Sequence, residues 1–285
     1  MFISCAYHNG SSSRDVLYVQ LVGMGITRKK HRRYKKRARK HTRHQRGGVH
    51  PDRTYVFIVA YRAKAPHTAR RDELKRCIDS IKTAFAKYKR KYKVFIVEQN
   101  NDYPFNLGIL KNIGFLEEEK VPNPARVYLH MNTDYSIDSN KEFPKELEEF
   151  DGNGFFDLYS VGEGTYIGGC TCFNSDVFKK INGFPTNLYG WGADDTALLK
   201  RVEKFKVPHI LSGVLNNGWI LADAGSDSVN SSSKPRTNFE NFAKIKDDSD
   251  TNGLTTTVYT VDGDGEFKDD ANHVVHKLVN FEYKP

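Results

Sequence analysis

Three short apolar runs set apart by amphipathic stretches constrain the fold of this chain more than any other feature. Tyr55–Tyr61 reads YVFIVAY, Val94–Val97 reads VFIV, and Arg126–Met131 is a third run of the same kind. Strands this apolar must be covered on both faces, as in a parallel sheet with helices on either side. Between the first two lies a helical stretch from Thr68 to Arg90. Its stripe is Leu74, Cys77, Ile78, Ile81, Phe85 and Tyr88, and Thr68 is placed to cap it. Between the second and third, Asn106–Ile113 reads as a short helix closed by Gly114. Strand, helix, strand, helix, strand predicts a parallel, doubly wound α/β sheet with right-handed crossovers. Such sheets bind ligands in the crevice beyond the carboxyl ends of their strands. Three polar segments end there: Tyr61-Arg62-Ala63-Lys64, Glu98-Gln99-Asn100 and Asn132-Thr133-Asp134. None carries G-x-G-x-x-G or G-x-x-x-x-G-K-[ST], which speaks against a dinucleotide-binding domain and a P-loop NTPase.

The net charge of +9 is a local property. Residues 28–46 hold 12 of the 44 Lys and Arg and no acid, so the remainder, with 35 acidic residues, is slightly negative. The run reads equally well as an electrostatic tether to a polyanion and as a solvated leader. Its single aromatic, Tyr34, speaks against a base-stacking surface. The division expected is a leader, 1–50, and a folded body, 51–285. The longest apolar candidate, Val16–Ile26, is too short to cross a bilayer and is broken by Gln20, Gly23 and Gly25. With no C-x-x-C among the four cysteines, a soluble chain in a reducing, cytoplasmic setting is expected. Cys170 and Cys172, two apart on a strand, face the same way; packing explains them more simply than a site.

The second half is rich in Gly, Asn and aromatic residues. An aromatic-glycine turn, Trp191-Gly192-Ala193, runs into Asp194-Asp195 and an amphipathic helix ending at Phe205. An acidic pair beside an indole suits a sugar, whose apolar ring face packs on Trp while its hydroxyls donate to a carboxylate. Taken singly, helix capping accounts for the two acids, core packing for Trp191 and an Asx turn for Asp134. Residues 223–257, rich in Ser, Asn, Asp and Thr, read as a long loop or lid. His273 and His276 on the last strand are expected at the surface.

Four strings in order resemble the β-1,4-galactosyltransferases, the GT-A type glycosyltransferases of family 7. Val59-Ala60-Tyr61-Arg62-Ala63-Lys64 resembles P-F-R-N-R, and Phe105-Asn106-Leu107-Gly108-Ile109-Leu110-Lys111-Asn112-Ile113-Gly114-Phe115 is similar to F-N-R-A-K-L-L-N-V-G-F. Tyr166-Ile167-Gly168-Gly169 resembles Y-F-G-G. Ile181-Asn182-Gly183-Phe184-Pro185, followed by Tyr189-Gly190-Trp191-Gly192-Ala193-Asp194-Asp195, resembles I-N-G-F-P-N-N-Y-W-G-W-G-G-E-D-D. The resemblance implies a GT-A-like, Rossmann-type twisted mixed sheet flanked by helices. In it 51–135 is the nucleotide half and 136–285 the acceptor and catalytic half.

It also implies roles. Asp195 is the catalytic base of an inverting transfer of galactose from UDP-galactose to a glycan or glycoconjugate hydroxyl. Asp194 binds sugar hydroxyls, and Trp191 and Gly192 ride on a loop covering the donor. Tyr61, Arg62, Phe105 and Asn106 line the nucleotide pocket; Asn132, Asp134 and Gly169 complete the donor site. Tyr166 matches the tyrosine that favours galactose over N-acetylgalactosamine. Other UDP-sugars (N-acetylgalactosamine, xylose, glucose) and an inactive nucleotide-sugar-binding homologue are the alternatives.

The departures concern the metal. The family's D-x-D, which places Mn²⁺, stands here as Asn132-Thr133-Asp134, leaving Asp134 as the ligand for Mn²⁺ or Mg²⁺. The family's M-x-x-H is absent from 216–223, and Leu107 replaces a donor-contacting arginine. Arg62, Lys64, or a cation shared by Asp134 and an acid of 223–227 are the substitutes considered. The missing anchor and disulfide cysteines fit a viral or microbial member.

Overall fold

The computed structural model describes residues 52–63, 70–120, 126–159, 167–190, 192–210, 218–222, 249, 251–269, 271 and 273–282. The leader with its basic run, Thr68 and most of 223–257 lie outside them. The chain forms β1 (Thr54–Tyr61), α1 (Arg70–Tyr88), β2 (Lys91–Gln99), α2 (Leu107–Glu119), β3 (Arg126–Met131) and β4 (Tyr135–Ile137). Next come α3 (Lys145–Glu148), β5 (Phe155–Tyr159), β6 (Cys170–Phe173), α4 (Ser175–Lys180) and α5 (Asp194–Lys204). β7 (Ile220–Ala222), β8 (Tyr259–Asp264) and β9 (Val274–Phe281) complete the set. Among the described residues no helix is long and apolar enough to cross a membrane.

Seven strands form one sheet in the order β5-β6-β3-β1-β2-β9-β8. β1 pairs in parallel with β2 and β3, and β9 runs parallel to β2. β6 is antiparallel to β3 and β5, and β8 to β9. The sheet is therefore mixed, as the family resemblance implied, and not wholly parallel as the strand–helix alternation alone suggests. The period of two along β1 supplies both faces of the core. Tyr55, Phe57, Val59 and Tyr61 meet the α1 stripe, including Leu74, Cys77, Ile81 and Phe85. Val56, Ile58 and Ala60 meet Ile109, Leu110 and Ile113 of α2 and Leu198 and Val202 of α5. Each fully buried Val, Ile, Leu or Phe among them contributes roughly 1.5–3 kcal/mol.

Three readings change. Gly114 does not close α2, which continues to Glu119. A Cβ on Gly114 would lie 2.6 Å from Ile58 Cγ2, so the glycine lets the helix approach β1. His276 is buried, not a surface residue, with Nε2 2.9 Å from Glu98 Oε2. Cys170 and Cys172 are wholly buried in the core, so packing is their role.

Backbone-directed amides lock α2 to the loop that leads into α5. Asn106 caps α2, its Oδ1 accepting from Ile109 N at 2.8 Å, while its Nδ2 donates to Thr186 O at 2.8 Å. Asn112 bonds Phe184 reciprocally: Nδ2 donates to the Phe184 carbonyl and Oδ1 accepts from its N–H, both at 2.9 Å. After α4 the chain reverses at Asn182 and Gly183, both left-handed (φ 57° and 61°). Arg201 of α5 holds that turn by donating to the carbonyls of Asn182, Gly183 and Asn252. Two of the four family-like strings are thus fastened to each other.

Candidate active site

The acidic pair owes its place to the turn before α5. Gly190, Gly192 and Ala193 all take positive φ (86°, 102° and 68°), which swings the chain into the helix so that Asp194 and Asp195 form its first turn. Ala193 holds a left-handed conformation at a cost of about 1–2 kcal/mol relative to Gly. Capping does not explain the acids, because Ala193 occupies the cap position without a side-chain bond. Asp194 is 6% exposed, and Asp194 Oδ1 and Asp195 Oδ1 are buried without a hydrogen-bond partner among the described residues. Polar atoms left so are costly unless something else, such as a substrate, engages them.

Three segments converge on this pair. A Cβ built on Gly168 would fall 2.2 Å from Asp195 Oδ2, so the glycine makes room for the carboxylate. The neighbouring Gly169 accepts from Asn132 N at 2.9 Å and lies against the Tyr135 ring, tying the strip to the end of β3. From α2, Lys111 Nζ donates to Asn132 Oδ1 at 2.9 Å. Asn132, Asp134, Gly168, Gly169, Asp194 and Asp195 therefore share one cluster, and Lys111, absent from the sequence-based set, sits within it.

Burial governs the electrostatics. It pushes Asp195 up to about 6, with Lys111 pulling down and Asp134 pushing up. Burial, then the Asp195 charge, pushes Asp194 up to about 8. Asp134 is likewise raised by burial, against the pull of Arg70. Lys111 is lowered by burial, opposed by Asp195 and Asp194.

The expected nucleotide side lies along the ends of β1 and β2. Tyr61 is buried, its ring edge-on to Phe267 and His276, and burial pushes its phenol up to about 12. Arg62 Nη1 donates to Tyr103 O at 2.8 Å, shaping the loop after β2. Phe105 is half-buried, and its carbonyl accepts from Gly190 N at 2.7 Å, so the turn before α2 touches the start of the aromatic-glycine turn. Asn106 is fully buried with its amide spent on the cap and on Thr186. Gly192 is half-buried, whereas Lys64, Tyr166 and Trp191 lie outside the described residues.

The expected divalent cation finds few donors. Among the described residues no three His, Cys, Asp or Glu are arranged to hold a metal ion. Asn132 Oδ1 is engaged by an ammonium, and Asp134 is a single carboxylate. Trp219, in the stretch that corresponds to the family's M-x-x-H, is buried and donates to the Tyr88 hydroxyl at 3.1 Å. This described donor set does not fit a metal ion held chiefly by the protein.

Residues 19–133 match the family described as the N-terminal region of glycosyl transferase group 7, and 158–209 match the N-terminal domain of galactosyltransferase. The human beta-1,4-galactosyltransferase 4 is 29% identical over 143 residues, 48% of this chain and 41% of that protein. A Lymnaea stagnalis beta-1,4-N-acetylglucosaminyltransferase is 32% identical over 123 residues, 41% of this chain and 24% of its own length. The chain thus aligns with less than half the length of these curated relatives. The Drosophila beta-1,4-galactosyltransferase 7, solved with manganese, UDP-Gal and xylobiose, shares the fold at a TM-score of 0.63 and 14% identity, covering 81% of this chain and 95% of that one.

Proposed function

The chain belongs to the glycosyl transferase group 7 family, and from that premise we propose that it transfers galactose from UDP-galactose, with inversion, to a hydroxyl of a glycan or glycoconjugate. The observation that carries this reading is the Asp195 carboxylate, set against Gly168 beside the end of β3 with a buried oxygen left unpartnered. As the acceptor oxygen attacks the anomeric carbon, Asp195 takes its proton and the bond to the diphosphate breaks, releasing UDP. Asp194, raised to about 8, keeps its proton near neutrality and offers the sugar both a donor and an acceptor. Tyr61, Arg62, Phe105 and Asn106 shape the uridine side; Trp191 and Tyr166 carry the roles that the family strings assign them.

A base must be ionised to act, so turnover rises with pH through about 6, the value to which Asp195 is pushed. A pH–rate profile flat between pH 5 and 7.5 would contradict that assignment. Replacing Gly168 by Ala sets a methyl 2.2 Å from Asp195 Oδ2 and displaces the carboxylate. Turnover is expected to fall roughly 100-fold while UDP still binds. Unchanged kcat in Gly168→Ala means that the carboxylate does not work from this position.

The test of the whole reading is UDP release from a panel of UDP-sugars, with UDP-galactose expected to lead. A second donor, UDP-N-acetylglucosamine, is favoured by the name of the Lymnaea relative and belongs in the panel. Absence of turnover with every UDP-sugar and acceptor sugar tried would favour an inactive nucleotide-sugar-binding protein.

A further inference from the structure

On the premise of the glycosyltransfer reading, we propose that Lys111 is a built-in cation of the donor site, supplying the positive charge that faces the UDP diphosphate and removing the need for a metal ion held by the protein. Lys111 is only 1% exposed, on a helix whose other buried residues are apolar apart from Asn112 and Glu118. Burying an ammonium there is costly unless hydrogen bonds and opposite charges compensate it.

Both compensations are present, and both belong to the site. Nζ donates to Asn132 Oδ1 at 2.9 Å, lies 5.0 Å above the Phe184 ring, and stands in the field of Asp195, Asp194 and Asp134. The ionised carboxylates of Asp195 and Asp134 without a counter-charge would repel an anionic diphosphate; a fixed ammonium in their field reduces that repulsion. The same ammonium would repel a divalent cation brought close to it, and it already occupies the oxygen that Asn132 could offer one. Among the described residues, the scarcity of metal donors and the buried lysine are thus two sides of one arrangement. Lys111 acts through its field and through Asn132, as a positioning residue.

The experiment measures binding of UDP and of uridine by calorimetry, with EDTA and with Mn²⁺, for the wild type and for Lys111→Met. Methionine matches the length of the lysine stem but removes one partner of a buried charged cluster, so a lower Tm is expected, and binding is compared below the variant's unfolding transition, where circular dichroism shows it folded. The expected result is wild-type UDP affinity within twofold in EDTA and in Mn²⁺. In Lys111→Met, UDP affinity should fall at least tenfold while uridine affinity stays within twofold, a split that general structural damage would not produce. UDP binding by the wild type that collapses in EDTA and returns with Mn²⁺ overturns the proposal, and that arm does not depend on the variant. Equal loss of UDP and uridine in a folded Lys111→Met, or no loss of either, overturns it as well. Turnover of UDP-sugars by the wild type is scored separately: the transferase reading falls if no sugar is released, whatever the outcome for Lys111.

Discussion

Asp195→Asn is expected to lower sugar transfer by on the order of 10³-fold while UDP affinity changes less than about threefold. The amide is isosteric with the carboxylate and fits the space beside Gly168 that admits no Cβ at 168, so the surroundings stay as they are. What is lost is the ability to accept a proton from the incoming hydroxyl. Steady-state UDP release with donor and acceptor, alongside calorimetry with UDP, separates the chemistry from the binding. Transfer at the wild-type rate in this variant would remove Asp195 from the mechanism and return the pair to a purely structural role.

The second large effect concerns stability, and its sign follows from Asp194. Burial and the neighbouring Asp195 hold its folded-state value at about 8 against 3.8 for the free group. Between those values the folded protein keeps a proton that the unfolded chain has given up. The group's stabilising contribution is therefore complete below about pH 4 and is lost as pH rises through about 8. Asp194→Asn carries no such penalty. Its stability relative to wild type is expected to be greater at pH 8 than at pH 5 by on the order of 2–4 kcal/mol. Thermal unfolding of both proteins at the two pH values measures this, and an identical difference at both would mean that Asp194 is ionised in the folded state throughout.

How much of this was legible depends on what each residue answers to. β1, β2, β3 and α1 were readable because burial on both faces writes itself as unbroken apolar runs and a 3.6-residue stripe; the short β4, β5 and β7 carry no such run. β3 was expected and found at Arg126–Met131. Gly114 misled because a glycine that ends a helix and one that lets a helix touch a strand look alike in one dimension. His276 misled for a related reason: its partner Glu98 lies on a different strand, β2, joined to β9 by parallel pairing. Asp194 and Asp195 stood out as an acidic pair beside an indole and Asp134 as a strand-end acid, yet neither the pattern nor the family-like strings say that the acids would be buried or which segments crowd them. Lys111 was overlooked inside a matched string. The signal available was a charged residue in the middle of an apolar helix, which reads as a polar face until the helix is seen to be covered by both the sheet and the following loop. Asn112 and Asn182 were quoted only as letters of a motif. Their partners are chiefly main-chain atoms, with the Thr257 and Thr255 hydroxyls beside them, and main-chain partners leave no mark in a side-chain pattern.

The amides of Asn106 and Asn112 fasten the segment after α4 by gripping its peptide groups at Phe184 and Thr186, and the grip does not depend on which side chains those positions carry. Divergence can therefore rewrite the exposed positions of this segment without unfastening it from its support. A scaffold of this kind permits new specificities to arise by substitution alone, with no redesign of the framework beneath.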